Sequence, residues 1–129
     1  MLRKSVVFGL SALMMAAAQP ALAVNDQDMK FHTTENLYHI CNTPSSAAEY
    51  VAASFACRGF IEGAVQYHDA VSDRKHLKRL ICYPKTATVE DGRLAFLAWV
   101  QKNQKNRKLM SEMPVVGLVR ALAEKYPCD

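Results

Sequence analysis

The helical character of this chain is clearest in residues 46–68, which read SAAEYVAASFACRGFIEGAVQYH. The stretch opens with Ser46-Ala-Ala-Glu49, which has the residue types and spacing of a capping box at a helix start. Four apolar residues then recur at near-helical spacing, namely Val51, Phe55, Ile61 and Val65. We therefore predict a long helix that begins near Ser46 and reaches about His68.

Two glycines, Gly59 and Gly63, lie four residues apart inside this predicted helix. Each costs about 1 kcal/mol relative to alanine in a helix interior. Close approach by a neighbouring helix would compensate for that cost, and we predict such packing at both positions. A flexible hinge is the alternative interpretation.

Helix signals continue on both sides of this stretch. Thr33 or Thr34 can cap a short first helix that ends at Cys41. After a charged connection over 69–76, three apolar residues predict a short helical segment with an inward face that ends at Cys82 and Pro84. These residues are Leu77, Leu80 and Ile81.

Two more helices are predicted in the last third of the chain. Thr88-Val-Glu-Asp91 has the form of a second capping box. Ser111 is placed to cap a last helix, with Pro114 in its first turn. No segment alternates like a strand between hairpin turns. We predict an all-α fold, a small bundle of four to five helices stapled by disulfides.

The helix after Thr88 contains LAFLAWV at positions 94–100, which is apolar around its whole circumference. Such a helix lies at the centre of a bundle or contacts a second subunit. Burial within one subunit is the simpler expectation. In a homodimer, Trp99 and Phe96 would be the anchors.

Residues 1–23 have the three parts of a secretory signal peptide. Arg3 and Lys4 form the basic start, an apolar run follows, and Ala21-Leu22-Ala23 is a small-x-small cleavage site. The remaining residues, 24–129, suit a single domain. No later stretch is long and apolar enough for a membrane span, so we expect a soluble exported product without membrane contact.

Charge gives little support for nucleic acid binding. Removing Arg3 and Lys4 from the 16 basic residues leaves 14 against 12 acidic ones, a formal charge of +2. Nucleic acid binding calls for a dense basic face with interleaved aromatic residues. The one basic cluster, over 102–108, is typical of a solvated helix end, and we keep it as a candidate docking segment.

All four cysteines, Cys41, Cys57, Cys82 and Cys128, follow the cleavage site, which predicts two disulfides in an oxidising compartment. Three pairings are possible. An antiparallel helix pair could join Cys57 to Cys82 and leave Cys41 to bond Cys128, and we prefer this pairing.

Catalytic and metal-binding chemistry lacks a motif. Glu90 with Asp91, or Glu62 with His68, would have to converge in a pocket to act as an acid–base pair. There is no serine nucleophile elbow, and the histidine and cysteine spacings match no metal or haem motif. We expect no enzyme activity, no cofactor and no metal site.

The cysteine and glycine framework resembles the Rap/Tai immunity proteins. The resemblance depends on Cys41, on Cys57-x-Gly59-Phe-Ile-x-Gly63, on Cys82-x-Pro84 and on the closing Tyr126-Pro-Cys128. It implies a helical periplasmic protein, often dimeric, that binds a cognate peptidoglycan amidase toxin of type VI secretion and blocks its catalytic cleft.

No toxin-contacting residue follows from the motif, so contact candidates come from expected exposure alone. They lie in the 73–76 connection and the 102–108 run: Arg74, Lys75, His76, Lys102, Lys105 and Lys108. The alternative function is an HdeA-like periplasmic acid-stress chaperone, which is also small, helical and disulfide-bonded. Two long-range disulfides would oppose the loosening that such a chaperone requires.

Overall fold

The computed structural model describes residues 29–129, which form five helices and no strand. They are α1 (Thr34–Cys41), α2 (Tyr50–Lys75), α3 (Val89–Asn103), α4 (Arg107–Ser111) and α5 (Pro114–Lys125). The predicted all-α, disulfide-stapled bundle is confirmed. The predicted signal peptide over 1–23 lies outside the described residues.

Within 29–129, none of these helices combines the length and apolarity that crossing a membrane requires.

Two of the predicted helix starts are confirmed in atomic detail. The Thr33 hydroxyl accepts a hydrogen bond from the Asn36 amide at 3.1 Å, which caps α1. At the start of α3, Thr88 and Asp91 exchange the two hydrogen bonds of a capping box. These caps satisfy amide groups that have no partner inside the helix.

Two other predicted caps are wrong. Helix α2 begins at Tyr50 without a side-chain cap, because residues 46–49 lie in turns that are closed by backbone hydrogen bonds such as Ala47 N–H to Pro44 O. Ser111 ends α4 instead of capping α5. Met113 occupies the cap position of α5, and Pro114 starts that helix as predicted.

Helix α2 is longer than its sequence pattern indicates. The predicted connection over 69–76 is helical as far as Lys75, and His76 ends the helix in the left-handed conformation, at φ 50°. The predicted short helix around 77–82 is absent. Residues 77–83 instead run back along α2 and are held there by hydrogen bonds to the side chains of His68 and Asp69.

Helix α3 is the centre of the bundle and packs against α1, α2, α4 and α5. Phe96 is fully buried and Trp99 nearly so. The seven-residue apolar run is thus interior, and the alternative role of Phe96 and Trp99 as dimer anchors is wrong.

Close helix packing occurs at glycines other than the predicted ones. A Cβ on Gly92 would lie 3.3 Å from Ile61 Cγ2, and one on Gly117 would overlap the buried side chain of Thr34. At Gly59 and Gly63, by contrast, no atom within 29–129 comes within 4 Å of the position of a Cβ. The predicted close packing at these two glycines is wrong, because both face away from the bundle.

The preferred disulfide pairing is also wrong: Cys41 bonds Cys57, and Cys82 bonds Cys128. Helix α1 packs on α2, which brings Cys41 at the end of α1 beside Cys57 in the second turn of α2. No helix around 77–82 exists to carry Cys82 to Cys57. All four cysteines are paired, as predicted.

Candidate functional site

The α2–α3 connection, which we define as residues 76–88, contains no helix or strand, and a cluster of polar side chains fixes it in place. Asp69 on α2 is the centre of this cluster. Its Oδ1 accepts hydrogen bonds from Arg79 Nη1 at 2.9 Å and from His68 Nδ1 at 2.9 Å. Its Oδ2 accepts one from the Tyr83 hydroxyl. Two residues of the connection are thus bonded to one carboxylate.

His68 ties a third point of the connection to α2. Its Nε2 lies 3.1 Å from the Leu80 amide, which can only donate. Nε2 must therefore accept, so a neutral His68 carries its proton on Nδ1, where it donates to Asp69. One imidazole joins the carboxylate to the backbone of the connection.

The electrostatics of the cluster favour an ionised Asp69 and a neutral Tyr83. Burial raises the pKa of Asp69, but the hydrogen bonds from Tyr83 and His68 and the charge of Arg79 outweigh this effect and lower it. The same hydrogen bond to Asp69, together with burial, raises the pKa of Tyr83 to about 12. At neutral pH, Asp69 is therefore ionised and Tyr83 is protonated, which are the states that their hydrogen bond requires.

The far end of the connection is joined to the C-terminus. Cys82 bonds Cys128, and the Cys82 amide donates to Tyr126 O at 2.9 Å. Behind this junction lies a cavity of about 220 Å³ between α2, the start of α3 and the end of α5. Ile61, Val65, Tyr83 and Leu122 are among its lining residues.

Two leucines of the fixed connection face solvent. Leu77 is 55% exposed and Leu80 is 58% exposed. The next residue, Ile81, is buried. The predicted inward face is therefore correct for Ile81 alone. Helical spacing would have turned all three residues inward, but without a helix the chain direction is set by the bonds to Asp69 and His68.

The first group of predicted contact residues borders these leucines. Arg74 and Lys75 occupy the last turn of α2, His76 is its C-cap, and all three are exposed. With Lys78 they give the start of the connection a mixed basic and apolar surface. None of these four forms an ion pair with any residue of 29–129. Their role in binding stays a prediction.

The second group of predicted contact residues lies on other elements. Lys102, in the last turn of α3, pairs with Glu124 of α5 at 2.8 Å. Lys105 follows α3 and Lys108 lies in α4, and both are exposed. Within the described chain, no hydrogen bond or ion pair joins this group to the connection.

The acid–base groups considered from the sequence each have other partners: Glu62 accepts a hydrogen bond from Gln66, and His68 is hydrogen-bonded to Asp69. Glu90 binds Arg93 and Arg58, and its hydrogen bond with Arg93 lowers its pKa. Asp91 is used in the capping box of α3. Among residues 29–129, no three side chains of the metal-binding types are grouped so that they could hold an ion.

The chain matches the model of a known protein family. The model of the Rap1a immunity proteins matches residues 33–128, from the cap of α1 to the last cysteine. The chain belongs to this family. Membership implies a toxin-immunity function, carried out by binding a cognate toxin protein. No curated protein and no solved structure matches the chain.

Exposed leucines on a fixed, irregular segment are the main feature that the sequence did not indicate. Asp69, Arg79 and Tyr83 carried no motif, because their spacing along the chain follows no helix or strand period. The closeness of Cys82 and Pro84 in the sequence was the one signal that the segment before α3 is irregular.

Proposed function

We propose that this Rap1a family member is a periplasmic immunity protein that inhibits a peptidoglycan amidase toxin delivered by type VI secretion. In this proposal the α2–α3 connection and the adjoining end of α2 cover the catalytic cleft of the toxin. The protein acts by binding alone and performs no chemistry.

The observation that carries this proposal is the fixed connection. Its side chains at Leu77, Leu80 and Lys78 are exposed, while Asp69, His68 and the Cys82–Cys128 disulfide hold its backbone. A segment that is already ordered loses little conformational entropy on binding, so more of its contact energy is retained as affinity. Protruding loops on a rigid scaffold are a common form of binding site.

Two further features support the place and target of action. Both disulfides require an oxidising compartment such as the periplasm, where peptidoglycan is also found. Arg74, Lys75 and Lys78 would complement an acidic rim around a toxin cleft, and the leucines would make apolar contacts near its centre.

A protection experiment tests the proposal. An exported amidase-like toxin encoded beside this chain is directed to the periplasm of a host cell, with either the full chain or a chain that lacks residues 1–23. We expect the full chain to prevent lysis and the shortened chain, which stays in the cytoplasm, to give no protection. Lysis in the presence of the full chain would refute the pairing with that toxin, and protection by the shortened chain would refute periplasmic action.

A further inference from the structure

A cavity lies behind the junction between the α2–α3 connection and the C-terminus, and we call it the junction cavity. Ile61 and Val65 of α2 and Leu122 of α5 form its apolar part. Tyr83 of the connection and Tyr126 at the end of α5 add two aromatic side chains to its lining. Mainly apolar and aromatic walls with a few polar groups are typical of sites for small molecules.

The volume of the junction cavity limits the size of a ligand. Its volume of about 220 Å³ exceeds the roughly 150 Å³ of a protein cavity that takes up benzene. It is smaller than the roughly 300–1,000 Å³ that is usual for sites of drug-sized molecules. The cavity therefore has room for a single ring or a branched alkyl group with a short chain attached, and for nothing much larger.

The polar part of the lining is acidic. Glu62, Gln66 and Asp69 line the cavity from α2, and none of its lining residues in the described chain is a lysine, arginine or histidine. The charge of Asp69 is already neutralised, because Arg79 pairs with it at 2.9 Å. Glu62 is exposed, accepts a hydrogen bond from Gln66 at 2.8 Å and forms no ion pair within residues 29–129. The Glu62 carboxylate at the rim is thus available to a cation.

We propose that the junction cavity binds a small organic ammonium ion with an apolar body. The body lies against Ile61, Val65 and Leu122, where its transfer from water is favourable. The ammonium group stays at the rim and donates to the Glu62 carboxylate, so that it keeps part of its contact with water. An anion of the same shape is repelled by Glu62, and a neutral molecule of that shape lacks the ion pair.

Binding of this ligand stabilises the α2–α3 connection. Tyr83 and Ala87 belong to the connection and also line the cavity, and Tyr83 donates to Asp69, the carboxylate that holds Arg79. A ligand that binds only while these residues are in place favours the ordered connection by mass action. At ten times its dissociation constant, the ligand should lower the open fraction of the connection about elevenfold. The site does not depend on the proposed toxin, since neither Leu77 nor Leu80 lines it.

A pair of probes with opposite charges tests the proposal. Phenethylammonium has a single ring, a short chain and a positive charge at neutral pH, and phenylacetate has nearly the same shape with a negative charge. In a methyl NMR titration of the purified chain, phenethylammonium should shift the signals of Val65, Val89 and Leu122 until they saturate. Its dissociation constant should be on the order of millimolar, as for a ligand of few atoms. Phenylacetate should bind at least about tenfold more weakly, because attraction to Glu62 becomes repulsion.

Two variants separate the contribution of the apolar body from that of the charge. Ala87→Leu adds bulk to the lining of the cavity and should weaken binding of phenethylammonium at least about tenfold. Glu62→Gln changes an exposed side chain, so its melting temperature should be unchanged, and it should weaken binding about three- to fivefold, as expected for a partly exposed ion pair. The matched control Glu49→Gln removes an exposed carboxylate outside the cavity and should bind the probe like the original chain.

Amide exchange at Leu80 supplies a readout of the connection itself. With the probe at ten times its dissociation constant, exchange at Leu80 should slow about tenfold in the original chain and in Glu49→Gln. The proposal is overturned if the methyl shifts do not saturate by about 50 mM phenethylammonium. Equal affinity for phenylacetate, or undiminished binding by Ala87→Leu, would also overturn it. Weaker toxin inhibition by Glu62→Gln without any binding of the free probe would overturn it by assigning the rim to a cationic side chain of the toxin.

Discussion

Replacing Asp69 with asparagine should loosen the α2–α3 connection without changing the bundle. Asparagine keeps the shape of the side chain and removes its charge. Hydrogen bonds to charged groups contribute about 1.5–3 kcal/mol, and those between neutral groups about 0.5–1.5 kcal/mol. The Asp69 side chain is 28% exposed, so we take about 1 kcal/mol for the loss at each of Arg79 and Tyr83. The expected destabilisation is about 2 kcal/mol.

Amide hydrogen exchange is the most informative assay for this variant. The Leu80 amide is bonded to His68 Nε2, whose orientation depends on Asp69. A loss of about 2 kcal/mol corresponds to roughly thirtyfold faster exchange at Leu80, at 1.36 kcal/mol for each factor of ten. Amides in the middle of α3 that exchange only through global unfolding should accelerate by no more than the same factor, because the folded state loses about 2 kcal/mol relative to the unfolded state.

The matched control is Asp73→Asn. Asp73 is 65% exposed and bonds only Arg79, so its loss should cost less than about 0.5 kcal/mol. Equal effects of the two substitutions, or unchanged exchange at Leu80 in Asp69→Asn, would refute the role given to Asp69.

The pH dependence of the same pair has a defined sign. Because the folded chain lowers the pKa of Asp69, the carboxylate contributes stability above its ordinary pKa of about 4 and loses it as pH falls through the lowered value. The difference in unfolding free energy between the original chain and Asp69→Asn should therefore shrink in acid. A difference that grows as pH falls would contradict this sign.

Four other variants test the fold. Gly117→Ala should destabilise the chain by about 1–3 kcal/mol in urea unfolding, because its methyl group would overlap Thr34 in the core. Gly63→Ala should instead stabilise the chain by up to about 1 kcal/mol, because its methyl group meets no other atom. A stabilising Gly117→Ala and a destabilising Gly63→Ala would contradict the assigned packing. Tyr83→Phe should remove an ultraviolet-detected ionisation at about pH 12. Because the folded chain raises the pKa of Tyr83, the protonated phenol contributes stability below its ordinary pKa of about 10, and this stability is lost as pH rises to the folded value of about 12. An unchanged titration would contradict the Tyr83 hydrogen bond. Removing the Cys82 disulfide by serine substitution of both partners should cost up to about 4 kcal/mol from loop entropy, and an unchanged melting curve would show that the bond does not constrain the chain.

The sequence predicted the features of the fold that depend on local chemistry. Thr33, Thr88 and Asp91 were identifiable as caps because a cap is formed within four residues, and Pro114 as a helix start because proline lacks the amide that the first turn leaves unpaired. The interior position of α3 followed from an apolar run that leaves no polar side to expose.

The features that depend on contacts between distant residues were not predictable from spacing. The observed cysteine pairing differs from the predicted one because α2 extends to Lys75 and the segment around Leu77 is not helical. Phe55 has the helical spacing of a core residue yet lies on the exposed side of α2, since periodicity identifies a face without telling what covers it. The candidate binding surface depends on Asp69 and Tyr83, which meet only after the chain folds back.

Inhibition of the toxin by connection variants tests the central claim most directly. Peptidoglycan hydrolysis by the purified cognate toxin is titrated with the original chain, with Leu77→Glu/Leu80→Glu and with the control Leu94→Glu. Both variants replace exposed leucines. We predict stoichiometric inhibition by the original chain and the control, and at least hundredfold weaker inhibition by the double variant at an unchanged melting temperature. Equal inhibition by all three chains would show that the toxin does not bind the α2–α3 connection.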